Sequence, residues 1–423
     1  MSEQILEQYG RVTIYTEANH PSPIYHVEGD IQPNPYGDLA ALFEDDALEE
    51  VMYNGGTQCV KVAHRNHGMC RTNIWIDDES GLQIAKNIAS FTNVPLGDGP
   101  GLVPIFDGRL PDGSRVNGTI PPVSPDGPTL TIRKFKEDPL TMIDLVNFGT
   151  VNSRLAAMMW VWIEGLDSRP ANFVIAGGTG SGKTTTLNCL GMYIPWSRRL
   201  LTVEDTAELQ VYHDHWLRME TRRERPDGTP EVDMNDCVKS SLRMRPDRII
   251  VGEVRGPECA TLLTAMNTGH DGSFGSLHAN TAQETVTRMI NPPMSVPPIM
   301  LSGLDLIIIQ ARLHVNGKTA RKITEVAEVA GMEGDKPRLN AIWKYNAATD
   351  EIEETGIPSK LRETICNAAG VTPDVFERHV AQRQAIIEDL CQRGISDIQT
   401  VTSVVQNFYC LLYTSPSPRD TLL

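Results

Sequence analysis

Paired cysteines and long apolar runs are both missing from this sequence. Its eight cysteines are scattered, and no two form a C-x-x-C pair, which excludes a zinc knuckle or a dithiol redox motif. Scattered cysteines, with no secretory leader in Met1–Tyr9, favour a reducing compartment. The most apolar run, Leu301–Leu313, contains Asp305, Gln310 and Arg312 and is too short to cross a bilayer. We therefore expect a cytoplasmic protein that reaches a membrane only through partners.

An excess of basic residues is missing as well. The chain has 38 Lys and Arg residues against 54 Asp and Glu residues, a formal net charge of −16. Proteins that bind nucleic acid usually have a net positive charge or a concentrated stripe of basic residues. We therefore expect no direct contact with nucleic acid.

The first third of the chain is predicted to form a mixed α/β domain. Its pattern indicates helices around 42–51 and 79–91 and a strand around 58–64. Two alternating segments, Ser114–Ile120 and Thr129–Phe135, flank the turn at Pro125-Asp126-Gly127 and are predicted to be strands.

The following region is predicted to be α/β with a buried, mostly parallel sheet. Helices are expected at Met142–Phe148 and Ser153–Leu166, and three short apolar strands alternate with helical patterns. The strands are Phe173–Ala176, Leu200–Val203 and Arg248–Val251. A late hairpin is expected from Ile323 to Tyr345, and residues 358–409 are helical in pattern.

A glycine-rich loop follows the first of these strands and opens a helix. Residues Gly177–Thr184 match the pattern G-x-x-x-x-G-K-[ST]. Such a loop turns backbone N–H groups around phosphate oxygens, and the positive end of the helix points to the same place. The residues expected to bind ATP are Gly178, Thr179, Gly180, Ser181, Gly182, Lys183, Thr184 and Thr185. Lys183 is expected to reach the β- and γ-phosphates, and the Thr184 hydroxyl to ligate Mg²⁺.

Acidic residues end the other two strands. Glu204 and Asp205 follow Leu200–Val203, at the edge where an open α/β sheet places its ligands, and either acid could hold the Mg²⁺ shell or orient water. Glu253 follows Arg248–Val251 and is predicted to position the attacking water. Considered alone, each acid could equally be a solvated surface group.

Two histidines lie in a loop of small residues, Thr268–Asn280. The loop suggests close approach to a ligand, and His278 is predicted to sense the γ-phosphate. A zinc site is disfavoured because no cysteine or third ligand accompanies His270 and His278 at a useful spacing.

These four elements, in this order, resemble the type II/type IV secretion-system traffic ATPases of the GspE/CpaF kind. Gly177–Thr184 resembles their Walker A loop, Thr202–Glu208 their Asp box, Arg245–Arg255 their Walker B and Thr268–Asn280 their His box. Around Glu388–Tyr409 the sequence is more similar to archaeal pilus and secretion members.

The resemblance implies a RecA-like P-loop NTPase domain with a smaller mixed α/β N-terminal domain and a helical C-terminal extension. It also implies a homohexameric ring that hydrolyses ATP and acts on a polytopic membrane platform, and through it on pilin-like subunits. Arg115 and Arg133, on strands that resemble the arginine-bearing strands of the family's N-terminal domain, are expected to complete the active site, with Arg109 a weaker candidate. The predicted division is a leading segment 1–37, an N-terminal domain 38–136, a linker 137–152, the ATPase domain 153–355, a helical extension 356–410 and a non-native or disordered tail 411–423.

Three other functions stay open at this point. A conjugation-type relative would move DNA, although the net charge of −16 argues against direct handling. A nucleotide-gated regulatory ring would need little turnover, which Glu253 and His278 argue against. A RecA-like recombinase or helicase would need a basic channel or stacking aromatic residues, and neither is visible in the sequence.

Overall fold

A computed structural model of the chain describes residues 4–17, 20, 22–29, 34–92, 94–135, 138–222, 224, 228–315, 318–334 and 336–414. The chain divides into two compact units. The first comprises Met1–Glu137 and Glu224–Pro230, and the second comprises Asp138–Arg223 and Glu231–Leu423.

The first unit is built on one largely antiparallel sheet. Its elements are β1 (Gln4–Tyr9), β2 (Val12–Thr16), β3 (Ile24–Val27), α1 (Ala40–Phe43), β4 (Leu48–Asn54), β5 (Lys61–His64), β6 (Gly68–Thr72), α2 (Asp78–Phe91), β7 (Ile105–Arg109), β8 (Arg115–Thr119) and β9 (Thr129–Arg133). Among the described residues the strand order is β1-β2-β3-β6-β5-β4-β9-β8-β7. Leu130 and Ile132 of β9 are buried while Thr131 and Arg133 are exposed, so alternate side chains of this strand face a core and solvent.

Two predictions for this unit are wrong. Residues 1–37 are not a separate leading segment, because β1, β2 and β3 within them pair with one another and β3 also pairs with β6. The helix expected around 42–51 stops at Phe43, and β4 begins at Leu48. β4 pairs with β5 on one side and β9 on the other, so long-range pairing overrides its local helical pattern.

The second unit contains the remaining elements around a second sheet. They are α3 (Met142–Asn147), α4 (Ser153–Glu164), β10 (Phe173–Ala176), α5 (Lys183–Gly191), β11 (Leu200–Glu204), β12 (Trp216–Glu220), α6 (Met234–Ser241), β13 (Arg248–Val251), α7 (Glu258–Asn267), β14 (Phe274–Leu277), α8 (Ala282–Ile290), β15 (Leu306–Val315), β16 (Lys318–Glu333), β17 (Lys336–Asn346), β18 (Glu351–Glu354), α9 (Lys360–Ala369), α10 (Pro373–Gln392) and α11 (Ile398–Thr414). Short 3₁₀ turns occur at Gly37–Leu39, Gly165–Asp167 and Pro298–Gly303.

The second sheet confirms the predicted buried, mostly parallel arrangement. Its order over the described residues is β12-β11-β13-β14-β10-β15-β16-β17-β18. The strands from β12 through β15 in this spatial order, which include β10 and β11, are parallel to one another. Every residue of β10 and β13 is buried, which explains the apolar runs Phe173–Ala176 and Ile249–Val251. Because the carboxyl ends of parallel strands share one edge, the residues that follow β10, β11, β13 and β14 meet there.

The C-terminal helices share a core with this sheet. Arg383 of α10 is fully buried and forms an ion pair with Glu164 of α4, and its guanidinium lies 5.6 Å from the ring centre of Trp160. The Trp160 indole N–H donates to the Tyr409 hydroxyl of α11 at 2.6 Å. Helix α11 runs to Thr414, so the predicted tail starts within a helix, and its part beyond 414 lies outside the described residues. Within the described chain, no helix has both the length and the apolar character needed to span a bilayer.

Candidate active site

The glycine-rich loop joins β10 to α5, as the motif requires. Gly180 and Gly182 adopt φ values of +71° and +96°, a left-handed conformation that strongly favours glycine. At Gly177 a Cβ atom would lie 2.1 Å from the carbonyl oxygen of Gln310, so only glycine fits this close to β15. The loop is therefore shaped by its own glycines and by the neighbouring strand, and its cradle suits a phosphate chain.

The lysine of the motif lies against the inner side of the loop. Lys183 Nζ donates to the carbonyl oxygens of Gly177 at 2.9 Å and Gly178 at 3.2 Å. Burial lowers the pKa of Lys183, and the charge of Glu253 opposes that effect. Thr184 and Thr185 are half-buried in the first turn of α5, where backbone N–H groups of a helix start are available to an anion.

Glu253 is the centre of a charged cluster at the same sheet edge. Its Oε1 lies 2.9 Å from His278 Nε2, and its Oε2 accepts from the Arg255 guanidinium at 2.6 Å. Arg255 also lies 3.3 Å from the Asp205 carboxylate, which accepts from the Thr221 hydroxyl at 3.1 Å. Burial by itself would raise the pKa of Glu253, but Arg255, His278 and Lys183 together hold it below the ordinary value. The carboxylate is therefore charged at neutral pH, and the charge of Lys183 contributes to that.

The turn that carries Glu253 is fixed by the His-box strand. The Ser276 hydroxyl of β14 donates to the Gly252 carbonyl at 2.6 Å, and the Val254 N–H donates to the Ser276 carbonyl at 2.7 Å. These two bonds connect the residue before Glu253 and the residue after it to the strand that leads to His278. The pair Glu253–His278 is thus held by backbone geometry as well as by its own contact.

The two acids after β11 differ in environment. Asp205 is exposed, whereas Glu204 is 3% exposed and its Oε1 accepts from the backbone N–H groups of Glu208 at 2.9 Å and Leu209 at 3.0 Å. Glu204 Oε2 is buried and has no hydrogen-bond partner within the described residues. Burial raises the pKa of Glu204 to about 7, against the lowering effect of its two backbone donors.

This raised pKa predicts a pH-dependent stability. The folded protein retains the Glu204 proton between the ordinary pKa of 4.5 and about 7, whereas the unfolded chain has lost it. The free energy of unfolding should therefore fall as pH rises through this window and level off above it. Glu204→Gln should remove this contribution and stabilise the protein by about 2–3 kcal/mol at pH 8. Urea denaturation from pH 5 to 9 measures the effect, and Glu220→Gln, an exposed site on the adjacent β12, is the control. Identical pH profiles for Glu204→Gln and the parent would contradict it.

The two predicted arginines of the first unit are neighbours in its sheet. Arg115 of β8 lies directly opposite Arg133 of β9, and Arg109 of β7 lies directly opposite Arg115. The Arg109 guanidinium lies 5.7 Å from the ring centre of Phe135. Three consecutive strands thus present a row of guanidinium-bearing residues at one level of the sheet.

Some residues of the site were not selected from the sequence. Arg255, which connects Asp205 to Glu253, lies in the Walker B segment, whose pattern by itself predicts no role for this arginine. Gln310 of β15 is buried and its Oε1 accepts from the Thr186 hydroxyl of α5 at 2.9 Å. The signal for Gln310 was present, because it is a polar residue that interrupts an apolar strand.

The chain is similar to several known proteins. The model of the family described as type II/IV secretion system protein matches residues 101–399. An uncharacterized protein of Methanocaldococcus jannaschii is 32% identical over 88% of this chain and 75% of its own length. A conjugal transfer protein, TrbB of Rhizobium radiobacter, is 36% identical over 54% of this chain and 68% of its own.

Among solved structures, the ATPase DotB of Legionella pneumophila superposes with a TM-score of 0.50 at 17% identity, covering 86% of this chain and 90% of its own. That likeness concerns the fold and agrees with the P-loop α/β architecture with an N-terminal domain. The family match and the M. jannaschii relative each cover most of the chain. The chain therefore belongs to the type II/IV secretion system protein family.

Proposed function

We propose that this chain binds ATP with Mg²⁺ in the Gly178–Thr185 loop and hydrolyses it. The loop glycines and the start of α5 offer backbone N–H groups to the phosphates, and Lys183 supplies a positive charge. Thr184, with Asp205 or Glu204 at the neighbouring strand end, would hold Mg²⁺, which neutralises charge on the phosphate oxygens.

The observation that carries the proposal is the convergence of Lys183, Glu253 and His278 at one sheet edge. Glu253 is charged and interacts electrostatically with Lys183, so its carboxylate can orient a water molecule toward the γ-phosphorus. The water oxygen forms a bond to phosphorus while the bond to the β-phosphate oxygen breaks. His278, 2.9 Å from Glu253, senses whether the γ-phosphate is present. Arg115 and Arg133 complete the stabilisation of the transition state in the working assembly.

We further propose that six copies form a ring whose ATP-driven domain closure moves a polytopic membrane platform. That motion would power assembly of type IV pilus-like filaments or type II/IV secretion from the cytoplasmic side. The support is the family match over residues 101–399 and the sheet architecture around the site. The acidic net charge of −16 favours action on protein partners over direct contact with DNA.

Replacement of Lys183 by alanine tests the proposal directly. The side chain is the cation that lies against the phosphate loop, so Lys183→Ala should lose nucleotide binding or ATP turnover. Phosphate release by the purified protein measures the loss. Lys239→Ala, an exposed site on α6, is the control and should keep full activity. A folded Lys183→Ala protein that hydrolyses ATP at the parent rate would refute the ATPase proposal.

A further inference from the structure

Two arginines flank the phosphate loop from the antiparallel part of its sheet. Arg312 of β15 lies directly opposite Arg321 of β16. Arg321 Nε donates to the carbonyl oxygen of Gly180 at 3.1 Å. A Cβ atom on Gly180 would lie 3.9 Å from Arg312 Nη1, so both guanidinium groups border the loop.

The charge of this pair is not balanced locally. Both side chains are exposed, and among the described residues neither forms an ion pair with a carboxylate. Like charges placed directly opposite each other on a sheet are destabilising. A bound group that offers an acceptor or a π face would relieve that cost.

The strand order indicates which part of a bound nucleotide would lie beside these arginines. Glu253 and His278 follow β13 and β14, on one side of β10, and define the position of the terminal phosphate. β15 and β16 lie on the opposite side of β10. A phosphate chain that runs through the loop, with its terminal phosphate toward Glu253, directs its nucleoside toward Arg312 and Arg321.

We infer that Arg312 and Arg321 form the nucleoside subsite, where a guanidinium plane stacks on the purine ring. The inference rests on the proposed ATP binding and deepens it. Guanidinium groups stack on aromatic faces and are weakly hydrated, so an exposed pair beside the loop can cover a flat base. Arg321 donates to Gly180 through Nε, and its side chain is exposed.

The test compares ADP with inorganic pyrophosphate, which has the phosphates and lacks the nucleoside. Calorimetric titration with Mg²⁺ present should show that Arg312→Ala and Arg321→Ala weaken ADP binding about 3–30-fold each. Pyrophosphate binding should stay within about twofold, because the phosphate loop is intact. Lys183→Ala should weaken both ligands, and Arg338→Ala, an exposed site on β17, should weaken neither.

Three results would overturn the inference. Unchanged ADP affinity in the Arg312→Ala/Arg321→Ala double variant would mean that the pair does not contact the nucleoside. An equal loss for ADP and pyrophosphate would mean that the arginines act on the loop or the phosphates. A parent protein that binds neither ligand would refute the proposed function itself, so the two failures are distinguishable.

Discussion

Glu253→Gln is expected to bind ATP and to hydrolyse it about 10²–10⁴-fold more slowly than the parent. The carboxylate is held charged by Arg255, His278 and Lys183 and lies 2.9 Å from His278, where it can orient water. Glutamine keeps the size of the side chain and removes the charge that polarises the water. Single-turnover phosphate release measures hydrolysis, and equilibrium titration measures binding.

The matched control for this variant is Glu351→Gln, an exposed site on β18, which should behave as the parent. The contacts of Glu253 also allow a different outcome. Its bond to Arg255, and through Arg255 to Asp205, could hold the site together. Equal losses of ATP binding and turnover in Glu253→Gln would assign Glu253 that role and remove its catalytic one.

Arg115→Ala and Arg133→Ala are expected to leave ATP binding within a few-fold but to reduce turnover about 10³-fold or more. The transition state spreads negative charge over three equatorial oxygens, and the phosphate loop supplies one lysine. The two arginines lie opposite each other on adjacent strands, which can hold guanidinium groups rigidly for bidentate phosphate contacts. Steady-state ATPase assays with ADP titrations separate the two effects, and full activity in both variants would remove the arginines from the mechanism.

Mixing two inactive variants decides whether an arginine serves its own subunit or the next. In a ring, one surface of each subunit faces a different surface of its neighbour, so a shared site is possible. Arg133→Ala mixed with Glu253→Gln should recover activity if the arginine acts across subunits. Mixed rings confirmed by mass, with no recovery at any ratio, would place the arginine in its own chain.

The chemistry of the loop was predictable because it is local in the sequence. Gly177–Thr184 contains its own conformational requirements, and the left-handed Gly180 and Gly182 satisfy them. The buried strands that lead to Glu204 and Glu253 were predictable for a related reason. A parallel strand covered on both faces contains an apolar run, and in both of these strands a glutamate comes shortly after that run.

Strand β4 was predicted wrongly because its structure depends on distant partners. Residues 1–37 were predicted wrongly because β1, β2 and β3 pair with one another and β3 joins the sheet through the distant strand β6. The segment from Leu48 to Asn54 becomes a strand through pairing with β5 and β9. Arg321 is a comparable case at the site, since it donates to Gly180 from 141 residues away. No local sequence pattern predicts a contact between residues that are so far apart in the sequence.

The sequence by itself determined the phosphate loop, the order of the acidic and histidine elements and the α/β class, because each depends on neighbouring residues and on strand burial. The tertiary structure alone decided how the charges combine. It placed Arg255 between Asp205 and Glu253, buried Glu204 while leaving Asp205 exposed, and brought Arg312 and Arg321 beside the loop. The physical reason is that electrostatic interactions and burial depend on distances across the sheet, and strand order sets those distances.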